Sequence, residues 1–477
     1  MLATVLAVAA SECKVCARPR DGATVVPMSY ATVEDHVRAE RDTIFQQLKQ
    51  IVSYNSVHGE PELASDAAGA CSWVAEHFEE LGFSVERIAT ADGSTAVVGK
   101  REPAPGRPTV LLYSHYDVVP AGNPATWTTD PFTLTERDGR WYGRGAADCK
   151  GNLVMHLAAL RAVEAAGGSD IGITVVVEGS EERGGEGLDA LIESRPELFK
   201  ADAIMIADTG NAAVGTPTLT TSLRGGAQLT VTVSTLETAI HSGNFGGAAP
   251  DAAFALVRTL DSLRDQQGRT VIEGVDTSAR WDGEPYTPEA FRADAGVLDG
   301  VNLMGTEADS PADFVWARPA VTITGWTSTP VAEAVNAVPP RAQAKINLRV
   351  PAGMDAQDTA DKLANHLRNH APWGAHIDVE IDDVNQGFAT DVTKPALTLL
   401  RSCLAQAYGT EESATIGSGG SIPLTTALQN AFPDAEIALY GVEEPTTTIH
   451  SADESVDPTE IERIAIAEAL FLLQYGK

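Results

Sequence analysis

"GITVVVEGSEERGG", Gly172–Gly185, runs from an unbroken apolar stretch into a cluster of acids. Ile173 to Val177 shows no polar alternation and is rich in β-branched side chains. That is the pattern of a strand buried on both faces, as in the parallel sheet of an α/β protein. Glu178, Glu181 and Glu182 follow at once. A solvated acidic loop would read this way, and so would the ligand and acid/base pair of a metal hydrolase.

Working outward, three more apolar runs end as abruptly: "PTVLLYSHYD" (108–117), "ADAIMIADTG" (201–210) and "EIALYG" (436–441). Helical patterns lie between them, including "ASDAAGACSWVAEHFEELGF" (64–83) and "KGNLVMHLAALRAVEAAGG" (150–168). Strand and helix signals alternate from residue 30 to about 215, which predicts a mostly parallel sheet covered by helices. "LTTSLRGGAQLTVTVST" (219–235) then alternates and reads as one half-exposed antiparallel strand. A helix (250–266), a polar loop or insertion near 268–316, two strands (319–328, 341–351), a helix (355–371) and a strand (376–383) follow. This βαββαβ-like run predicts a two-layer α+β domain at 219–388, inserted between two parts of the first domain, 28–218 and 389–477. "SYATVEDHVRAERDTIFQQLKQIVSYNSV" (29–57) reads as one amphipathic helix. Residues 1–27 are expected to be a poorly ordered extension arising from an upstream start codon, and the "CKVC" within them has no second ligand pair at zinc-finger spacing.

A chain of 477 residues exceeds one ordinary core. Its 34 basic against 66 acidic side chains give a formal charge of -32, which argues against nucleic acid and anionic membrane as partners. Five cysteines, odd and sparse, are no disulfide framework and point to the reducing cytoplasm. No apolar run approaches the roughly 20 residues that span a bilayer.

In open α/β sheets ligands bind beyond the carboxyl ends of the strands. There the chain delivers His115 and Asp117, Glu181 and Glu182, Asp208 and, further on, His450, while Asp148 opens the 150–168 helix. Imidazole nitrogens with carboxylate oxygens suit two zinc ions, and a carboxylate can bridge metals about 3.5–4 Å apart.

"SHYDVVP", "WTTDPF", "GRGAADCKGN", "EGSEERGG", "IADTG", "HSGNFGG", "GSGGSIP" and "IHSADE" occur in that order. From about residue 30 the chain resembles the di-zinc hydrolase family of carnosinase-like dipeptidases, carboxypeptidase G, aminoacylase, acetylornithine deacetylase and succinyl-diaminopimelate desuccinylase. The resemblance implies His115 and Asp208 on one metal, Glu182 and His450 on the other, and Asp148 bridging, with zinc expected and manganese or cobalt as alternatives. It implies Glu181 as general base and then acid for a hydroxide bridged between the metals, and Asp117 as the group orienting His115. His241 would stabilise the oxyanion, often from the partner protomer. Arg349 and the turn Gly419, Gly420, Ser421 would hold the substrate carboxylate, with Asn336 as a further lid residue. It also implies a cis peptide after Asp148 and a homodimer formed through the lid.

Asp208, where carboxypeptidase G and aminoacylase relatives tend to carry Glu, resembles the dipeptidase branch. Hydrolysis of dipeptides or small peptides is therefore expected. An N-acyl amino acid amidohydrolase is the alternative, and a non-catalytic metal-binding scaffold is the alternative of another class. Three motifs are set aside. His366 and His370, at i, i+4, lack the nearby glutamate of an HExxH site. Cys149 reads as a small buried side chain. "GSGGS" lacks the Lys-Ser/Thr of a phosphate loop and follows no clear strand.

Overall fold

The structure, a computed structural model, describes residues 30–420 and 422–477. The expected extension 1–27 and Ser421 lie outside the described residues. The predicted first helix is two, Tyr30–Ala39 and Arg41–Val52, meeting at Glu40. The bend lets the first pack on Pro458–Gln474 and the second on Lys150–Ala165.

The apolar runs form the centre of a nine-stranded sheet. Gly172–Glu178, Thr109–His115, Ala203–Ala207 and Glu436–Tyr440 lie side by side and parallel. Gly172–Glu178 and Ala203–Ala207 are buried along their whole length, as continuous Val/Ile runs require. Antiparallel pairs flank this core: Ser84–Ala89 and Thr95–Arg101 on one side, Thr218–Leu223 and Phe388–Ala389 on the other. On one face the helices Lys150–Ala165 and Pro458–Gln474 bury nearly all their apolar residues. On the other, Glu186–Ser194 and Pro423–Ala431 close a second core. The chain lays 172–178 on one side of the His115 strand and 203–207 on the other, so the end of that strand is a switch point, where ligands bind.

A second sheet is antiparallel throughout, in the order Ala320–Thr327, Arg341–Val350, Gly225–Ser234, His376–Asn385. Helices Ala252–Asp261 and Ala356–Asn369 pack on it around a core of their own. The stretch read as one strand, 219–235, is two. Thr218–Leu223 belongs to the large sheet and Gly225–Ser234 to the small one, with Arg224 between them. The alternating pattern continues through the crossing, so periodicity could not show it. The expected limits 219 and 388 thus fall within strands of the large sheet. The turn at 419–420 does follow a strand, Ala414–Ser418, parallel to Thr218–Leu223. No helix among the described residues is long and apolar enough to cross a membrane.

Candidate active site

Each parallel strand ends in part of one acidic cluster. His115, fully buried, closes its strand with Nε2 3.1 Å from Asp148 Oδ1 and 3.2 Å from Asp208 Oδ1. Asp148 Oδ2 lies 3.1 Å from His450 Nε2, which is also 3.1 Å from Glu182 Oε2. One carboxylate therefore spans two histidines, and the Nε2 of each histidine meets one further acid. His450 takes a left-handed backbone (φ 60°), uncommon for a residue with a side chain.

Asp117 explains how two adjacent glutamates can part. Its Oδ1 accepts from the Glu181 N–H at 3.1 Å and its Oδ2 from the Glu182 N–H at 3.0 Å. The same Oδ1 lies 3.3 Å from His115 Nδ1. Asp117 thus pins a 3-10 turn, Glu181–Arg183, as well as the imidazole. The Asp148–Cys149 peptide is cis. Glu454, fully buried and not anticipated, accepts from the N–H groups of Gly145, Ala147 and Asp148 and pairs with Arg144 at 2.5 Å. It holds the loop that carries Asp148. Glu443 was also missed: its carboxylate approaches Asp148 and Asp208. It follows the Glu436–Tyr440 strand as Asp208 follows its own, and that shared position was the signal available.

The charge balance is unusual. Burial, with mutual repulsion, pushes Glu181, Glu182, Asp208 and Glu443 above the ordinary carboxylate range. For Asp148 burial is outweighed by hydrogen bonds from His115 and His450, and its pKa falls. Glu182 Oε1 and Glu443 Oε1 are buried without a hydrogen-bond partner among the described residues. Orphaned oxygens, crowded acids and imidazole nitrogens are a donor set that a pair of divalent cations satisfies. The residues present fit such metals.

These acids line one side of a cavity of about 1250 Å³, and Trp316, Gly419 and Gly420 line it too. Arg224, another residue not anticipated, lies under that turn. Its Nη2 is 3.0 Å from where a Cβ on Gly419 would stand, and its Nε is buried without a partner among the described residues. Burial and the charge of Arg349 lower its pKa to about 10. Arg349, His241 and Asn336 do not line the cavity. His241 and Asn336 are exposed neighbours: His241 pairs with Ala337, and the Ser242 N–H donates to the Asn336 carbonyl at 2.9 Å. Cys149 is buried with its thiol on the Ala207 carbonyl, in keeping with a packing role. His366 and His370 do meet a glutamate, Glu273, from a distant loop. Both nitrogens of His366 are already engaged, by the Glu273 N–H at 3.1 Å and by Ser262 Oγ at 3.0 Å.

The profile of peptidase family M20/M25/M40 matches residues 111–474. The chain belongs to that family. A cysteinylglycine-S-conjugate dipeptidase of Corynebacterium striatum is 59% identical over 438 residues, 92% of this chain and 96% of the relative. A Cys-Gly metallodipeptidase of Schizosaccharomyces pombe is 32% identical over 291 residues, 56% of this chain and 61% of the relative. The fold matches that of human carnosine dipeptidase 1 at a TM-score of 0.77, with 24% identity, covering 94% of this chain and 99% of the other. Like these M20 relatives, the chain is a metal-dependent dipeptidase. Its metals are divalent cations, and the clusters around Asp148 supply groups able to hold them.

Proposed function

We propose that the chain is a di-zinc dipeptidase acting on cysteinylglycine S-conjugates and related dipeptides. The observation that carries the reading is the Asp148 carboxylate lying between His115 and His450, each with its own second acid. His115 and Asp208 would hold one cation, Glu182 and His450 the other, and Asp148 both. The nitrogen and oxygen donors favour zinc, with manganese or cobalt as substitutes. When bound, such cations polarise a carbonyl and acidify water. Glu181, on the turn held by Asp117, takes the proton of the attacking water and returns it to the leaving amine. The Gly419–Gly420 turn, with Ser421, receives the substrate carboxylate, and Arg349, which lies outside the cavity, joins it when the small sheet closes over the site.

His241 and Asn336 act in this reading on the site of a second copy, because both are exposed and away from their own cavity. The smaller sheet, Gly225–Asn385, is then lid and dimer interface. Its outer strand Ala320–Thr327 has an edge unpaired among the described residues, and Ile323, Trp326 and Val331 are exposed on and beside it. We place the enzyme in the cytoplasm on its sparse, odd cysteines; Cys71, Cys149 and Cys403 are free and buried.

The test sets a dipeptide panel, including cysteinylglycine and its S-alkyl forms, beside N-acyl amino acids. Dipeptides should be cleaved, and faster turnover of acyl amino acids with dipeptides intact would overturn the reading. Glu181→Ala should keep metal and fold while losing about 10²–10⁴ in kcat. Unchanged turnover would refute the general-base role.

A further inference from the structure

The acidic stretch near 268–316 is more than a solvated loop. Within it, Trp281, Tyr286 and Phe291 form an aromatic group with Trp316. Tyr286 stacks on Trp316 at 5.4 Å and 12°, Trp281 meets it edge-on at 5.1 Å, and Phe291 packs edge-on against Tyr286. Trp316 rides on a single turn, Asp313–Ala317. Buried Asp313 holds that turn, accepting from Arg280 Nη1 at 2.9 Å, the Trp281 N–H at 2.9 Å and the Ser310 N–H at 3.0 Å. Arg318 ties the same turn to Asp309 at 3.0 Å. On the facing strand a glycine is required: a Cβ on Gly417 would stand 2.8 Å from Trp316 Cβ.

Trp316 lines two cavities. One is the 1250 Å³ site with the metal-ligand acids, and the other is a neighbouring cavity of about 710 Å³. In the first it is joined by Ile416, Ile422 and Pro423. The lining therefore carries an aromatic and aliphatic group besides the acids. The cavity is also larger than the roughly 300–1,000 Å³ of common small-molecule sites.

We infer that Trp316 is a specificity-determining residue, the apolar wall that receives a bulky hydrophobic substituent on the dipeptide, such as the S-linked group of a cysteinylglycine conjugate. The inference rests on the dipeptidase reading above. An S-alkyl or S-aryl group offers no hydrogen bond to the acids and gains from burial against a π face. The buttressing by Tyr286, Trp281 and Asp313 means that little side-chain freedom remains to be lost on binding.

The test measures kcat/KM of the metal-loaded, full-length enzyme and its Trp316→Ala and Trp316→Phe variants on S-benzyl-cysteinylglycine and on Ala-Gly. The readout is the ratio of the two constants in one preparation, so a reduced active fraction cancels. Trp316→Ala should lower the S-benzyl to Ala-Gly ratio on the order of 10- to 100-fold, mostly through KM, and Trp316→Phe should restore much of it. A ratio that stays within about threefold of wild type in Trp316→Ala, or Trp316→Phe as low as Trp316→Ala, would overturn the inference. Wild-type enzyme that leaves both dipeptides intact would sink the dipeptidase reading itself. Cleavage of both with an unmoved ratio removes the wall alone.

Discussion

Glu178 shows how a single acid in the opening stretch can serve structure rather than chemistry. It is buried, and it accepts from the Tyr113 hydroxyl at 2.8 Å. Burial, only partly offset by that hydrogen bond, pushes its pKa up to about 8. The ordinary glutamate value is about 4.3. Across that interval the folded chain keeps a proton that the unfolded chain has released. Stability contributed by this group is therefore full below pH ~4.3 and is lost as pH rises toward 8. Glu178→Gln keeps an acceptor for Tyr113 and removes the ionisation. Melting temperatures from pH 5 to 9 should show the variant gaining on wild type as pH rises. A constant gap across that range would rule the account out. Glu181 and Glu182, a few residues on, have the same chemistry and a different setting, because Asp117 takes both of their backbone amides. The family resemblance assigned Glu181 and Glu182 different tasks, but how two adjacent glutamates part was not legible in the residue letters. The carboxylate that separates them comes from another strand end.

At the scale of elements, the His366/His370 pair is the instructive case. The i, i+4 spacing put both on one helical face, and the missing glutamate argued against a metal. The structure supplies Glu273 and yet uses His366 as a clasp. Nδ1 accepts from the Glu273 N–H, Nε2 bonds Ser262 Oγ, and the Ser262 hydroxyl donates to the Thr259 carbonyl at 2.6 Å. This joins helix Ala356–Asn369 to helix Ala252–Asp261 and the loop after it. His366→Ala should cost about 1–3 kcal/mol, since the buried imidazole is lost and two part-buried partners lose their bonds. Burial, then the neighbouring His370, lowers the pKa of His366. The neutral clasp is thus intact above the unfolded value near 6.5 and weakens as pH falls below it. Urea unfolding at pH 7.5 and pH 5.5 should show the gap to wild type narrowing at the lower pH. An equal gap at both would mean that the histidine acts by packing alone.

At the scale of the molecule, the large sheet builds the cluster of acids and histidines and the small sheet carries groups that miss it. The proposed dimer reconciles the two. Light scattering should give twice the chain mass. Trp326→Asp with Val331→Asp should shift the enzyme toward monomer and lower kcat/KM together, because His241 would then face no second site. Monomeric enzyme with full activity would show that His241 acts elsewhere. The acidic balance of -32 over the whole chain adds long-range attraction for cations but locates nothing.

The sequence by itself determined the α/β class, the second sheet and the set of acids and histidines at the strand ends. Unbroken Val/Ile/Leu runs demand a parallel, doubly covered sheet, and parallel strands deliver their ends to one edge. Only the tertiary structure decided that Arg224 is the crossing between sheets, that Glu454 clamps the Asp148 loop and that Trp316 reaches the cavity. It alone placed His241 and Asn336 outside that cavity. Each of these depends on segments far apart in the chain coming into contact. Local periodicity records which face of an element is buried, and it carries no record of what that face is buried against.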